Sequence, residues 1–153
     1  MTAATNKALA LEALERGFNQ GDLSVWDELV AEAGADHQEA PGKDFRAHLK
    51  EVVVQLRGAF PDLHFEVHHA LAEGDLVALH STMTGTHRGA FAVGPFRDLP
   101  PTGKTVRVRH MHFLRWQDGY NTDLWHLWDT ASLARQLGLT PERTPVGTAP
   151  QRT

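Results

Sequence analysis

The sequence predicts a single α+β domain, with helices in its first part and an antiparallel sheet in most of the remainder. Apolar residues recur at helical spacing up to Ala59, and beyond Pro61 they alternate with polar residues instead. The first period is typical of helices with one buried face, and the second of strands with one buried face. Helices followed by a run of strands favour an α+β fold over a wound parallel sheet.

Three helices are predicted in the first part of the chain. Thr5-Asn6 offers an N-cap for the first helix, and Ser24 offers one for a short second helix. The segment 33–42 is predicted to be a loop, and a long amphipathic helix follows over residues 43–59. Apolar residues at helical spacing mark the buried faces: Leu11, Leu14, Phe18, Val25, Trp26, Leu29, Val30, Phe45, Leu49, Val52, Val53 and Leu56.

Four strands are predicted in the second part, over residues 63–71, 76–87, 105–116 and 120–129. The connection 88–103 carries three glycines and three prolines, which is typical of a long loop that closes over a site. A short helix after the last strand ends at Gly138. We therefore expect the domain to span residues 1–140 and the segment 141–153 to be a flexible C-terminal tail.

Composition narrows the class of protein. The chain has 153 residues, of which 41% are hydrophobic and 22% charged, as in an ordinary globular domain. Its net charge is −4 without a basic stripe, so nucleic acid is not an expected partner. It has neither a membrane-spanning apolar run nor the features of a signal peptide, so we expect no membrane contact and a cytoplasmic location. The absence of cysteine excludes disulfides and thiolate zinc sites.

Three histidines are predicted to face the interior of the domain. His110 and His112 occupy even positions of their strand together with valine, leucine and tryptophan, whereas the odd positions carry three arginines. Alternate residues of a strand lie on opposite faces, and the arginine face is the wetter one. On the last strand His126 shares a face with Leu124 and Trp128, so it is predicted to point inward as well.

The turn between these two strands decides whether the three imidazoles meet. A two-residue turn at Asp118-Gly119 places His126 opposite Met111, on the wrong face. Two possible three-residue loops place it opposite His110 or His112 instead, and the sequence leaves both registers open. In either of them the three side chains share one patch. Such a patch indicates chemistry rather than packing, because burying several polar rings costs free energy.

This patch supports three interpretations. Neutral imidazole is a general base near neutral pH, so His126 can abstract a proton while His110 and His112 stabilise the developing enolate. Alternatively, the three histidines bind a divalent metal such as zinc and leave a fourth position for water. The structural alternative is three buried histidines that are satisfied by carbonyl groups or water.

Seven short motifs follow one another in order along the chain: F-N-Q-G-D (18–22), F-P-D-L (60–63), A-E-G-D-L-V-A (72–78), G-T-H-R-G (85–89), P-P-T-G-K (100–104), W-Q-D-G (116–119) and D-T-A-S-L-A-R-Q-L-G (129–138). In their order and spacing, over residues 6–141, they resemble the SnoaL-like polyketide cyclases of the nuclear transport factor 2-like superfamily. The resemblance implies a cone-shaped domain, in which a curved antiparallel sheet wraps around the helices and often pairs with a second copy.

The resemblance also implies an activity. Cyclases of this family close a ring in a polyketide by intramolecular aldol condensation, without a metal or an organic cofactor. Counted from the shared D-G turn and R-Q-L-G helix, the catalytic aspartate position falls on His126, and the two assisting positions fall on His110 and His112. Histidine thus stands where the family carries aspartate, while Asp129 matches an acidic residue common at the end of this strand.

Further residues are candidates for substrate binding. Trp128 shares the face of His126 and can stack on an aromatic ligand. The pair Asp36-His37 lies in the predicted loop and either reaches the cavity mouth or belongs to the surface. Asp129 either orients a pocket histidine or caps the following helix. His87, at the end of a strand, is expected to be a surface residue.

Together these patterns predict an enzyme, a cyclase, lyase or isomerase, that acts on a carbonyl-bearing small molecule by acid–base chemistry. Two alternatives stay open because a fold alone does not decide function. One is a metal-dependent lyase, hydrolase or oxygenase, and the other is a non-catalytic module for small-molecule binding or dimerisation. Metal content and the effect of His126→Ala on turnover separate the three.

Overall fold

A computed structural model describes residues 1–92 and 96–139, so the predicted tail 141–153 lies outside the described residues. The structure confirms the predicted fold class, a single α+β domain in which a curved sheet packs against the N-terminal helices. No helix in the two described ranges is long and apolar enough to cross a membrane.

The described residues form four α-helices, α1 (Ala3–Ala13), α2 (Ser24–Leu29), α3 (Phe45–Ala59) and α4 (Thr130–Gln136). Two predicted N-caps are wrong. Thr2, not Thr5-Asn6, caps α1 by accepting a hydrogen bond from the Thr5 N–H. Ser24 is the first residue of α2 rather than its cap, and the Asp22 carboxylate accepts from its N–H at 3.0 Å. Helix α3 begins two residues later than predicted, after Asp44, whose side chain accepts from the Ala47 N–H.

Helix α1 continues into a π-helical segment, Leu14–Asn19. Gly17 lies directly against the indole ring of Trp26, so this turn has no room for a side chain at that position. At its end, the Asn19 amide accepts from the Phe65 N–H at 2.7 Å and donates to the Phe65 carbonyl at 3.1 Å. The segment is thereby fixed to the edge of the sheet, over the cavity described below.

The strands are β1 (Val30–Asp36), β2 (His64–Glu73), β3 (Leu76–Thr86), β4 (Thr105–Gln117) and β5 (Tyr120–Trp128), in the spatial order β1-β5-β4-β3-β2. Strands β2 to β5 pair antiparallel, and β1 pairs in parallel with β5. The predicted loop over 33–42 is therefore wrong for its first residues, which belong to β1. The segment V-A-E-A-G-A-D lacks the alternation that marks a strand. It is a strand nevertheless because its main chain pairs with β5.

The inner face of the sheet packs on the helices, and the predicted alternation of β4 is confirmed. Val106, Val108 and His110 are buried, whereas Arg107 and Arg109 are exposed. Strand β2 departs from the prediction, because a bulge at His68 inserts one residue between the pairs Val67↔Ser81 and His69↔His80. Beyond that bulge the faces exchange, so Leu71, which uninterrupted alternation from Phe65 would place on the core side, is exposed.

The β4–β5 hairpin has a two-residue turn and still brings His126 to the inner face, a combination that was not expected from the sequence. Asp118 and Gly119 form a two-residue turn with φ values of 52° and 84°, and Gln117 pairs with Tyr120. One extra residue, Thr122, then shifts the register, so that His126 pairs with His112. The prediction that a two-residue turn puts His126 on the wrong face is wrong, because the bulge returns it to the inner face.

The described parts of the connection, residues 88–92 and 96–103, contribute to the core. Phe91 and Phe96 are buried, and Phe91 forms an isolated bridge with Leu99. His87 is fully buried, which contradicts the predicted surface position. Its ring contacts Phe60 and Phe91, and its Nδ1 lies 3.0 Å from the Thr102 hydroxyl. Burial lowers the pKa of His87, so it is a neutral core residue.

Candidate active site

The three predicted histidines form a column on the inner face of the sheet. The rings of His110 and His112 are 5.6 Å apart and nearly parallel, and those of His112 and His126 are 5.9 Å apart. Strand alternation places His110 and His112 on one face, and the cross-strand pair His112↔His126 extends the column to β5. The structure thus brings together the three residues that the sequence singled out.

A cavity of about 660 Å³ lies between this column and the helices. Its walls are mostly apolar and come from α1, α2 and α3 on one side and from the inner face of the sheet on the other. The three histidines and Trp128 line it, as do Asp36 and His48. A mostly apolar cavity with a few polar groups is the usual form of a small-molecule site.

Asp36, the last residue of β1, is the closest acidic partner of the column. Its Oδ2 lies 3.0 Å from the Nε2 of His126, and its side chain is 4% exposed. The parallel pairing of β1 with β5 sets Asp36 beside Leu124, two residues before His126. The Gln38 side chain also accepts from the His126 N–H at 3.1 Å. His126 is therefore held in place through both its ring and its backbone.

A fourth histidine, His48 on α3, contacts the same carboxylate. Its Nε2 lies 3.3 Å from Asp36 Oδ2 and 3.3 Å from Glu39 Oε1. Burial opposes the charge of Asp36, but hydrogen bonds from His126 and His48 prevail and hold the pKa of Asp36 well below its usual range. The hydrogen bond to Asp36 raises the pKa of His48. The geometry therefore favours a carboxylate anion at Asp36 between two imidazoles.

Burial has the opposite effect on the other two histidines. It lowers the pKa of His112 to about 4, with the nearby His126 adding to the shift, and it lowers the pKa of His110 well below the usual value. Among the described residues, His110 Nε2 and His112 Nδ1 have no hydrogen-bond partner. Two neutral imidazoles with unused polar atoms thus lie beside His126.

The arrangement of donor atoms bears on metal binding. The three histidines are stacked, and in the described ranges the set whose ligand atoms converge consists of Asp36, Glu39 and His48. That set lies around His48, whose pKa is raised by its hydrogen bond to Asp36, so a proton on His48 competes with a cation for the two carboxylates. Binding of zinc by the three-histidine column therefore stays a prediction.

The other predicted site residues lie at different distances from the column. Trp128 lines the large cavity, with its ring 5.4 Å from that of His110. His37 instead lines a second cavity of about 360 Å³, where it stacks on Trp125 and contacts Asp123 at 2.8 Å. Asp129 caps α4, since its carboxylate accepts from the Ser132 N–H at 3.0 Å.

Sequence reasoning did not identify His48, and it named Asp36 only as one of two loop residues that could reach the cavity mouth, without its contact to His126. A signal for His48 was present, because it follows Phe45 by three residues and precedes Val52 by four, on the apolar face of α3. A polar residue on that face is expected at the cavity. Asp36 offered no comparable signal, since β1 itself was not recognised.

Comparisons with known proteins agree with this architecture. A family model described as SnoaL-like polyketide cyclase matches residues 8–137. Among solved structures, AclR from Streptomyces galilaeus, described as "a putative hydroxylase", is 30% identical, covers 92% of this chain and 100% of its own, and has a TM-score of 0.76. Among curated proteins, no relative matches this chain.

Two further structures share the fold. IdmH from Streptomyces antibioticus, described as "a putative polyketide cyclase", is 28% identical, covers 87% of this chain and 99% of its own, and has a TM-score of 0.70. TsrD from Streptomyces laurentii is 20% identical, covers 92% of this chain and 99% of its own, and has a TM-score of 0.78. Since the family model spans most of the sequence, the chain belongs to the SnoaL-like polyketide cyclase family.

Proposed function

We propose that the protein is an acid–base enzyme that forms an enolate from a carbonyl-bearing, polyketide-like small molecule inside the large cavity. The observation that carries this proposal is the contact between His126 Nε2 and the buried Asp36 carboxylate, at 3.0 Å, in a cavity that His110 and His112 also line. A carboxylate that orients an imidazole and stabilises its charged form is a recurrent way to produce a general base.

The residues have distinct roles in the proposed reaction. With Nε2–H donating to Asp36, Nδ1 of His126 carries the lone pair that abstracts a proton from the carbon next to a carbonyl group. The low pKa values of His110 and His112 keep both rings neutral, so each donates a hydrogen bond to the enolate oxygen from a neutral N–H and not from an acidic imidazolium. In an aldol ring closure, the enolate carbon then bonds to a second carbonyl carbon, and the resulting alkoxide takes the proton back from His126.

The substrate class is supported by the cavity and by the relatives. A cavity of about 660 Å³ falls within the usual range of small-molecule pockets, roughly 300–1,000 Å³. Trp128 offers an aromatic face beside His110, on which a planar ring can stack. The family model and several structural relatives are described as polyketide cyclases, which supports a carbonyl-rich substrate.

Proton exchange tests this proposal before the natural substrate is identified. The probes are aromatic methyl esters with a 1,3-dicarbonyl side chain, and NMR in D₂O follows the loss of the proton between the carbonyl groups. We expect the wild-type protein to accelerate exchange or ring closure, and His126→Ala to lower the rate by about 10²–10⁴-fold. His64→Ala, which changes an exposed histidine of β2, is the control. An unchanged rate in His126→Ala contradicts the proposal.

The same assay separates the two alternative functions. A rate that disappears after chelation and returns with zinc supports a metal-dependent enzyme. Retained ligand affinity in His126→Ala, without turnover of any probe by the wild type, supports a non-catalytic binding module.

A further inference from the structure

The outer face of the sheet, opposite the face that lines the cavity, carries a second group of histidines. His69 on β2 and His80 on β3 are cross-strand partners, and their Nδ1 atoms are 3.0 Å apart. Their rings are nearly parallel, with an interplanar angle of 10° and centroids separated by 5.3 Å. His68 belongs to the same group, since its ring centroid lies 5.2 Å from that of His80.

The bulge in β2 explains how two consecutive residues contact one neighbour. In a regular strand, adjacent side chains point to opposite faces. The extra residue at His68 interrupts this alternation, and the rings of His68 and His69 both lie beside His80. Strand β2 is the edge of the sheet, and both of its histidines in this group are exposed.

We propose that His69 and His80, with His68 as a third ligand, form a binding site for a borderline transition-metal ion such as Zn²⁺. Two nitrogens bound to one tetrahedral zinc ion are about 3.3 Å apart, given Zn–N distances of about 2.0–2.1 Å. The His69–His80 pair therefore approaches chelating geometry before any ion binds. Imidazole suits zinc, copper and nickel, whereas magnesium and calcium prefer oxygen ligands.

The third ligand requires one side-chain rotation. His68 Nε2 lies 2.7 Å from the Thr82 hydroxyl, so this nitrogen is engaged by Thr82 rather than by the Nδ1 atoms of His69 and His80. Because His68 is exposed, its ring can rotate without disturbing the core. Two histidines thus form the preorganised part of the site, and water is free to complete the coordination shell.

Isothermal titration of the tag-free full-length chain with ZnCl₂ tests this site. We expect one zinc ion per chain, and at least about tenfold weaker binding in His69→Gln and in His80→Gln. His64→Gln is the matched control, because His64 is an exposed histidine of the same strand outside the group. Glu39→Gln tests the other cation-capable set, near the cavity, and is expected to leave the zinc affinity unchanged.

A second measurement covers the case in which a variant is unstable. Imidazole NMR of the wild-type chain is expected to show that zinc shifts the signals of His69 and His80 and leaves those of His110 and His112 in place. The proposal is overturned if the wild type does not bind zinc, or if His69→Gln and His80→Gln both bind zinc as tightly as the wild type does. Loss of zinc binding in Glu39→Gln overturns it as well.

Discussion

At the scale of single residues, Asp36 is the side chain on which the proposed chemistry depends most after His126. Replacing Asp36 with asparagine removes the negative charge 3.0 Å from His126 Nε2 while retaining nearly the same shape. We expect Asp36→Asn to lower the catalysed exchange rate by about 10²-fold or more, with a smaller effect on ligand affinity. Steady-state kinetics on a responsive probe measure both. Asp27→Asn, at an exposed ion pair with Lys50, should leave the rate unchanged.

His112 makes the stability of the protein sensitive to mild acid. Its pKa falls from 6.5 to about 4 on burial, so between these pH values the unfolded chain binds a proton that the folded chain does not. The contribution of neutral His112 to the free energy of unfolding is therefore fully present above pH 6.5. It decreases by up to about 3 kcal/mol as the pH approaches 4. His110 acts in the same direction. His48, whose pKa is raised, loses its contribution only as the pH rises above its ordinary value.

Urea unfolding between pH 4 and pH 7 measures this effect, since these limits enclose the pKa shift of His112. We expect His112→Gln to flatten the decrease in the free energy of unfolding, whereas His64→Gln keeps the wild-type slope. An unaltered slope in His112→Gln would show that this imidazole does not couple folding to protonation.

The residues of the site differ in how visible they are in the sequence. His110, His112 and His126 were predictable because strand alternation sets the face of each residue once its neighbours reveal the wet side. His87 was misplaced because the end of a strand gives no such pattern, and its burial depends on Phe60 and Phe91 from other segments. Asp36 reaches His126 only through the pairing of β1 with β5, which no local pattern reveals.

At the scale of elements, the π-helical segment is expected to tolerate substitution poorly at Gly17. An added methyl group would overlap the ring of Trp26, which is buried and lines the cavity. We expect Gly17→Ala to lower the free energy of unfolding by about 1–3 kcal/mol, as other overpacked substitutions do. Urea denaturation measures the change.

Gly58 supplies the matched control within another helix. Nothing lies within 4 Å of a Cβ at Gly58, and helical glycine is less favourable than alanine by roughly 0.5–1 kcal/mol. Gly58→Ala is therefore expected to be neutral or stabilising. Equal effects of the two substitutions would indicate that Trp26 can move aside at Gly17 without cost.

The elements themselves were largely predictable, and their registers were not. The predicted bounds of α3, β3, β4 and β5 differ from the observed ones by two residues at most, because long runs carry a clear period. A bulge, in contrast, changes no residue type, so the extra residues His68 and Thr122 had no signature in the sequence.

At the scale of the whole molecule, the outer face of the sheet presents an apolar band. Its members lie on β2, β4 and β5 and are 51–71% exposed: Leu71, Met111, Phe113 and Leu127. Contiguous exposed apolar patches often mark surfaces where proteins associate. This band fits the dimer through the sheet that the family resemblance implies, and a second copy of this chain is the occupant we propose. Because Met111 is the cross-strand partner of His80, the proposed zinc site adjoins this interface, and the zinc titration is therefore repeated with the Phe113→Asp variant.

Light scattering after size-exclusion chromatography tests this assembly. We expect the wild type to elute as a dimer, and Phe113→Asp or Met111→Asp to shift it toward the monomer, because a carboxylate must lose its hydration in the interface. Val54→Asp, at an exposed apolar residue of α3, is expected to leave the dimer intact. A wild-type monomer, or dimeric forms of both sheet variants, would sink this proposal.

The bulge at Thr122 has a consequence for how sites of this kind arise in evolution. Because strand faces alternate, loss of one residue between the D-G turn and His126 would move this imidazole, with Leu124 and Trp128, to the opposite surface. Substitution of single residues cannot produce such a change. Insertions and deletions of one codon in this hairpin are thus the mutational steps by which a lineage could add His126 to the column or remove it, while nearly every amino acid of the strand stays the same.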